Sequence, residues 1–289
     1  MFIYPRRICG ENLYHHIYAW GNDRHNIFTE ISHYQKYLQL LKQSSQKYQI
    51  VVIAYALMQW HVHLFIFDPK NKISKFMEEL HGKYAIFFNK ETGKVGHVFG
   101  ERYNNNIVQP NEYGLYLSRY IHRQAVEAGL VKDPEEYPWT SYRQYIGLED
   151  IQFISPWIIL EQFGDPVHNF KVVANLYKEF VLGDDNENYE INWDDNKNPI
   201  IGNLDFITEV KKSMGIKAKS PYTRDKIIQL VADELGVKPE WIISPKGQEQ
   251  KKIRRAAINL LYTNHALKIC EIAQILQLSR FTVMKWIAK

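Results

Sequence analysis

Residues 51–67 constrain the fold more than any other part of this 289-residue chain. The run Val51-Val52-Ile53-Ala54-Tyr55-Ala56-Leu57-Met58-Gln59-Trp60-His61-Val62-His63-Leu64-Phe65-Ile66-Phe67 is apolar, rich in β-branched and aromatic residues, and closed by Asp68-Pro69. That pattern reads as β-structure. Side chains alternate across a strand, so His61 and His63 emerge on one face while Val62 packs on the other. Two imidazoles aimed at one point suit a divalent metal ion. Histidines that simply pack within a strand are the alternative, and among 11 histidines one such pair does not decide between them.

A second segment, residues 111–129, has helical texture. Leu117, Ile121 and Val126 recur at roughly helical spacing, and Gly129 is a stop signal. Tyr120 and Gln124 are four apart and so lie one above the other on a single helix face. Beside a two-histidine metal site, a phenol one turn from a carboxamide makes a device for cutting a phosphodiester. His122 is the adjacent candidate base, but two residues along a helix points it away from Tyr120, which favours a structural role. Most of the 19 tyrosines read as packing or base-stacking residues, Tyr113 and Tyr116 included.

The order of motifs carries a resemblance. His61-x-His63 is followed by Gly100-Glu101-Arg102-Tyr103, Tyr120-Ile121-His122-x-Gln124, Ala128-Gly129-Leu130-Val131 and Tyr137-Pro138-Trp139-Thr140-Ser141-Tyr142, and preceded by Trp20-Gly21-Asn22-Asp23-Arg24-His25-Asn26-Ile27-Phe28. Over roughly residues 5–147 the chain resembles the single-tyrosine HUH transposases, and within them the REP-associated tyrosine transposases. The resemblance implies that His61 and His63 are the metal pair, Tyr120 the nucleophile and Gln124 the third ligand. Many relatives carry Asn then Pro where this chain has Gln124 and Ala125, which leaves the subfamily open.

The resemblance further implies attack by Tyr120 on single-stranded DNA bearing hairpins, giving a 5′-phosphotyrosine and a free 3′-OH. Mg²⁺ or Mn²⁺ is the expected cofactor, since a mixed His/His/Gln set suits either ion. An ordinary tyrosine titrates near pH 10, so its proton needs help to leave. No nucleotide-binding loop is expected, because Gly93-Lys94 is followed by Val95. Two other readings stand beside this one: an HUH nickase for replication, and a domesticated DNA-binding regulator that does not cut.

The implied fold is α+β: a ferredoxin-like antiparallel sheet with packed helices, followed by an all-α C-terminal domain. Expected elements are a strand at 14–20, helices at 33–47 and 73–89, the strand through His63 and the Tyr120 helix. The expected domains are 1–150 (catalytic), 151–217 (a connector with a helix at 165–182 and an acidic loop) and 218–289 (helix-turn-helix). Net charge is only +4, but its distribution is uneven. Residues 183–197 hold six acids and one base, whereas residues 218–289 hold 13 Lys and Arg against 6 Asp and Glu. A basic end suits duplex DNA. Residues 272–287 read as helix, turn, helix, with Ser279 as cap, and resemble the DNA-binding domain of the bacterial replication initiator. Candidate DNA contacts are Arg24, Arg102, Arg254, Arg255, Arg280, Thr282 and Lys285. No apolar run approaches the roughly 18 residues of a membrane helix. With Cys9 and Cys270 far apart, a reducing, cytoplasmic and nucleoid-associated setting is expected, as a monomer or homodimer.

Overall fold

A computed structural model describes residues 8–183, 193, 199–214, 224–263 and 269–287. The acidic loop expected at 183–197 therefore lies outside the described residues, apart from Gly183 and Trp193. The chain forms two compact units, Met1–Gly202 and Asn203–Lys289.

In the first unit, β1 (Leu13–Trp20), α1 (Ile31–Tyr48), β2 (Val51–Met58), β3 (His61–Asp68), α2 (Ile73–Thr92) and β4 (Asn104–Val108) follow in a βαββαβ order. They are followed by α3 (Glu112–Glu127), α4 (Tyr142–Tyr145), α5 (Trp157–Leu160), α6 (Phe170–Leu182) and β5 (Ile200–Ile201). The sheet order is β2-β3-β1-β4-β5. The four long strands pair antiparallel, as a ferredoxin-like sheet requires, and β5 adds a short parallel edge on β4.

The apolar run at 51–67 is not one strand but a hairpin, broken at Gln59-Trp60. Two backbone groups of that turn are tied down from outside. Gly21 donates to the Trp60 carbonyl at 2.8 Å, and Ile27 and Phe28 donate to that of Gln59 at 2.8 and 3.0 Å. Strand β4 was not expected, because Asn-Asn-Asn is a poor strand former. Tertiary partners override that propensity: Ile107 and Val108 are fully buried, Asn105 donates to Ile8 O at 3.0 Å, and Asn106 donates to Trp193 O at 2.7 Å.

Cross-strand register sorts the polar groups by face. His16 opposes Phe65 and Asn106, and Tyr18 opposes His63 and Asn104. Pleat alternation therefore puts His16, Tyr18, His61, His63 and Asn106 on one face. His15, Ile17, Val62, Leu64 and Ile107 occupy the other. Helix α3 packs over β2 and β3, while α1 and α2 pack on each other.

The boundary expected at residue 150 falls inside the first unit. Ser155 donates to Val52 O at 2.7 Å, and Ile154, Ile159, Leu160, Tyr177 and Val181 join the same core as the sheet. The composition shift at 150–156 marks a turn. The segment beyond it has its own apolar stripe to bury, and only the unit's core can cover it. Helix α6 starts at Phe170, five residues later than the pattern suggested.

The second unit holds α7 (Leu204–Ser213), α8 (Arg224–Glu234), α9 (Pro239–Ile243), α10 (Gly247–Thr263), α11 (Ile269–Leu276) and α12 (Arg280–Ile287). Ile227, Val231, Ile242, Ile258, Leu261, Ile272, Leu276 and Val283 form its own core. Ser279 caps α12 through its side chain, 3.1 Å from the Thr282 N–H. Among the described residues, no helix is long and apolar enough to cross a membrane.

Two histidines, His15 buried and His81 half-buried, are among those that make the first unit acid-sensitive. Burial pushes His15 down to about 4, with Asp68 partly opposing, and pushes His81 down to about 3. Unfolded, both titrate near 6.5, so the unfolded chain binds more protons below that pH and the folded state loses stability as pH falls. Each contributes about 1.4 kcal/mol per pH unit over that window. Thermal melts should show the midpoint dropping between pH 7 and 5, with a shallower drop in His81→Gln. A midpoint unchanged across that range would rule this out.

Candidate active site

On the polar face of the sheet, His61 and His63 stand two residues apart on β3, their rings perpendicular with centroids 5.0 Å apart. Helix α3 lays Tyr120 and Gln124 across them. The Tyr120 ring meets His63 edge-on at 5.5 Å and His16 at 6.0 Å, with the Trp193 ring at 6.1 Å. Gln124 Oε1 lies 3.2 Å from His61 Nε2. The other end of that carboxamide, Nε2, donates to the Tyr120 carbonyl at 3.4 Å, which aims the oxygen at the histidine. All four expected site residues thus converge within one chain, Tyr120 half-buried and the other three buried.

The imidazoles are neutral. Burial holds His61 below its ordinary value, with the Gln124 bond working the other way. His63 is held well below, first by burial and then by the neighbouring His61 and His16 rings. Burial pushes His16 down to about 3, opposed by the Trp193 backbone. A neutral imidazole keeps a lone pair, which is the form that binds a cation.

His122 is a structural pin. It is fully buried, with Nδ1 2.7 Å from the Tyr177 hydroxyl and Nε2 2.7 Å from Ser141 Oγ. Tyr177 donates onward to Ser118 at 2.9 Å, so its oxygen accepts from His122 Nδ1–H, and Nε2 accepts from Ser141. Both nitrogens are occupied and burial pushes the ring down to about 3, so His122 is no base for Tyr120.

Two arginines hold the same helix from another side. Arg119 donates to the Gly183 carbonyl and, at 3.4 Å, to that of Val181. Arg123 donates to Val181 O at 3.0 Å. These carbonyls end α6, where a cation also complements the helix dipole.

Residues 9–124, a span ending at Gln124 and containing both histidines and Tyr120, match the family model described as Transposase IS200 like. Over this segment, less than half of the chain, the sequence is similar to the IS200-like transposases. Two solved structures are similar to this chain. One, a REP-associated tyrosine transposase bound to a REP hairpin, is 15% identical with a TM-score of 0.43, covering 54% of this chain and 98% of its own. The other, a crystal structure of a protein from Deinococcus radiodurans R1 assigned as a transposase, is 18% identical with a TM-score of 0.30, covering 42% and 98%. No curated protein matches the sequence.

Among the described residues there is no group of three or more His, Cys, Asp or Glu side chains that could hold a metal. A cation here would need the Gln124 oxygen as its third protein donor. The donor chemistry fits that: two neutral imidazoles and a carboxamide oxygen would hold such an ion, with His61 Nε2 and Gln124 Oε1 already 3.2 Å apart.

The expected DNA contacts divide. Arg24, in a 3-10 turn at Asn22–Arg24, and Arg102 are both exposed. Arg254 turns inward, donating to Leu276 O at 2.6 Å, and Arg224, which no motif singled out, donates to Ile275 O at 2.6 Å. Together they cap the end of α11. Arg255 is half-buried, Lys285 is exposed, and the Thr282 hydroxyl is 2.8 Å from Ser279 Oγ. The Arg280 side chain lies outside the described residues. One site residue went unexpected: His16, whose Nε2 is 3.0 Å from His63 Nδ1. The signal was present, since ferredoxin-like topology puts β1 beside β3 and alternation puts His16 on the side of His63.

Proposed function

We propose that the chain cuts and rejoins single-stranded DNA at hairpin-bearing sites, with Tyr120 as nucleophile and His61, His63 and Gln124 holding Mg²⁺ or Mn²⁺. The observation that supports this best is the approach of the Tyr120 ring to His63 beside the paired His61 and Gln124. When bound, a divalent cation would polarise the scissile phosphate and neutralise its non-bridging oxygens. Tyr120 Oη attacks phosphorus and forms the P–O bond. The bond to the 3′ oxygen breaks, and that oxygen takes a proton from solvent and leaves as a 3′-OH, while the phenol proton passes to solvent. The DNA 3′ of the cut stays on Tyr120 as a 5′-phosphotyrosine. A 3′-OH from another strand can reverse the step and rejoin DNA with no nucleotide triphosphate.

The second unit is read as a duplex-binding module. Its excess of basic residues supports electrostatic contact, with Lys285 exposed on α12.

The test is incubation of the full chain with a hairpin-bearing oligonucleotide and Mn²⁺, followed by a denaturing gel. A 3′-end label should migrate with the protein, and a 5′-end label should appear on a short free fragment ending in 3′-OH. Tight hairpin binding with neither product would instead favour the non-cutting regulator. Cutting at a duplex origin but not at hairpins would favour the replication nickase.

A further inference from the structure

His63 does not stand alone in the sheet. On the neighbouring strand His16 presents Nε2 to His63 Nδ1 at 3.0 Å, and both rings are almost wholly excluded from solvent. The two rings lie within 12° of parallel with centroids 5.3 Å apart. That separation equals the nitrogen–nitrogen distance plus roughly a ring radius at each end. The contact is therefore an in-plane hydrogen bond rather than a face-to-face stack, which is the arrangement in which such a bond is strongest.

An in-plane bond between two neutral imidazoles needs one N–H and one lone pair. The far nitrogen of His16, Nδ1, is buried with no hydrogen-bond partner among the described residues, so the shared proton is not fixed from that side. A cation on His63 Nε2 needs the lone pair there, which places the His63 proton on Nδ1 and makes His16 Nε2 the acceptor. His61 has no comparable support: its Nδ1 is buried with no hydrogen-bond partner among the described residues.

We propose that His16 is a positioning residue that fixes the ring and tautomer of His63, so that His63 Nε2 is held ready for a divalent cation; this rests on the metal reading above. Partners of this kind, which hold the second nitrogen of a ligating histidine, commonly change metal affinity by about 10- to 100-fold. In this chain the partner is another histidine, from the neighbouring strand β1.

The experiment uses the full-length chain as wild type, His16→Leu and His16→Gln. Leucine fills space without an acceptor, whereas glutamine restores an oxygen acceptor. Long-range ¹H–¹⁵N correlation on metal-free protein should show His63 as the Nδ1–H tautomer in wild type and His16→Gln, and as a mixture in His16→Leu. Mn²⁺ titration followed by electron paramagnetic resonance should show affinity about 10- to 100-fold weaker in His16→Leu and within about threefold of wild type in His16→Gln. An Nε2–H tautomer in wild type, or equal Mn²⁺ affinity in a folded His16→Leu, overturns the proposal and leaves the metal reading intact. Failure of wild type itself to bind Mn²⁺ overturns the metal reading, and the proposal falls with it. Should His16→Leu fail to melt cooperatively, the wild-type tautomer and the His16→Gln affinity still decide.

Discussion

Tyr120→Phe is expected to abolish the covalent protein–DNA adduct, a loss on the order of 10³-fold or more, as for removal of any covalent nucleophile. The substitution deletes one oxygen and keeps the ring. Ring contacts to His63, His16 and Trp193 at 5.5, 6.0 and 6.1 Å involve the aromatic body, so the helix and its neighbours stay in place. At most a hydroxyl hydrogen bond worth about 1 kcal/mol is given up. Hairpin affinity, read by fluorescence anisotropy, should change less than about threefold in the same preparation. An adduct of wild-type intensity in the phenylalanine variant would remove Tyr120 from the chemistry, whatever the geometry around it.

His61→Ala and His63→Ala carry the second large effect. Each removes a nitrogen donor of the proposed site, and cleavage should fall more than about 100-fold while Mn²⁺ binding is lost. Gln124→Ala should be milder, on the order of 10-fold, because a solvent oxygen can stand in for a neutral carboxamide. His63 is the more deeply buried of the pair, 1% exposed against 7% for His61, so its alanine variant should also melt lower. A melt beside each assay separates the two causes. Full cleavage by His61→Ala in chelator-treated buffer would show that the histidines serve some other purpose.

Much of the candidate site's arrangement was legible because it depends on two simple periods. Alternation on β3 puts His61 beside His63, and the helical period on α3 puts Gln124 one turn from Tyr120. The ferredoxin-like order followed from the family resemblance. What escaped was whatever depends on contacts distant in sequence. Strand β4 is built on asparagines that only the sheet and Trp193 can satisfy. The unit edge fell at Gly202, because α5 and α6 bury their apolar residues in the same core as the sheet. Arg254 was a reasonable DNA contact by charge, yet it is committed to the α11 carbonyls, a role that becomes visible only when α10 and α11 are placed side by side. His16 could have been found, but it needed strand order as well as strand pattern.

The two guanidinium clasps from Arg119 and Arg123 to the end of α6 bear on how subunits could share work. A segment pinned at that end, bolted through His122 to Tyr177 and Ser141, is poorly suited to being lent to a neighbour. Each polypeptide should then be self-sufficient. Co-expressed mixtures of Tyr120→Phe and His61→Ala chains should stay silent, whereas recovery of cutting in such mixtures would mean that the clasp opens and the helix is traded between partners.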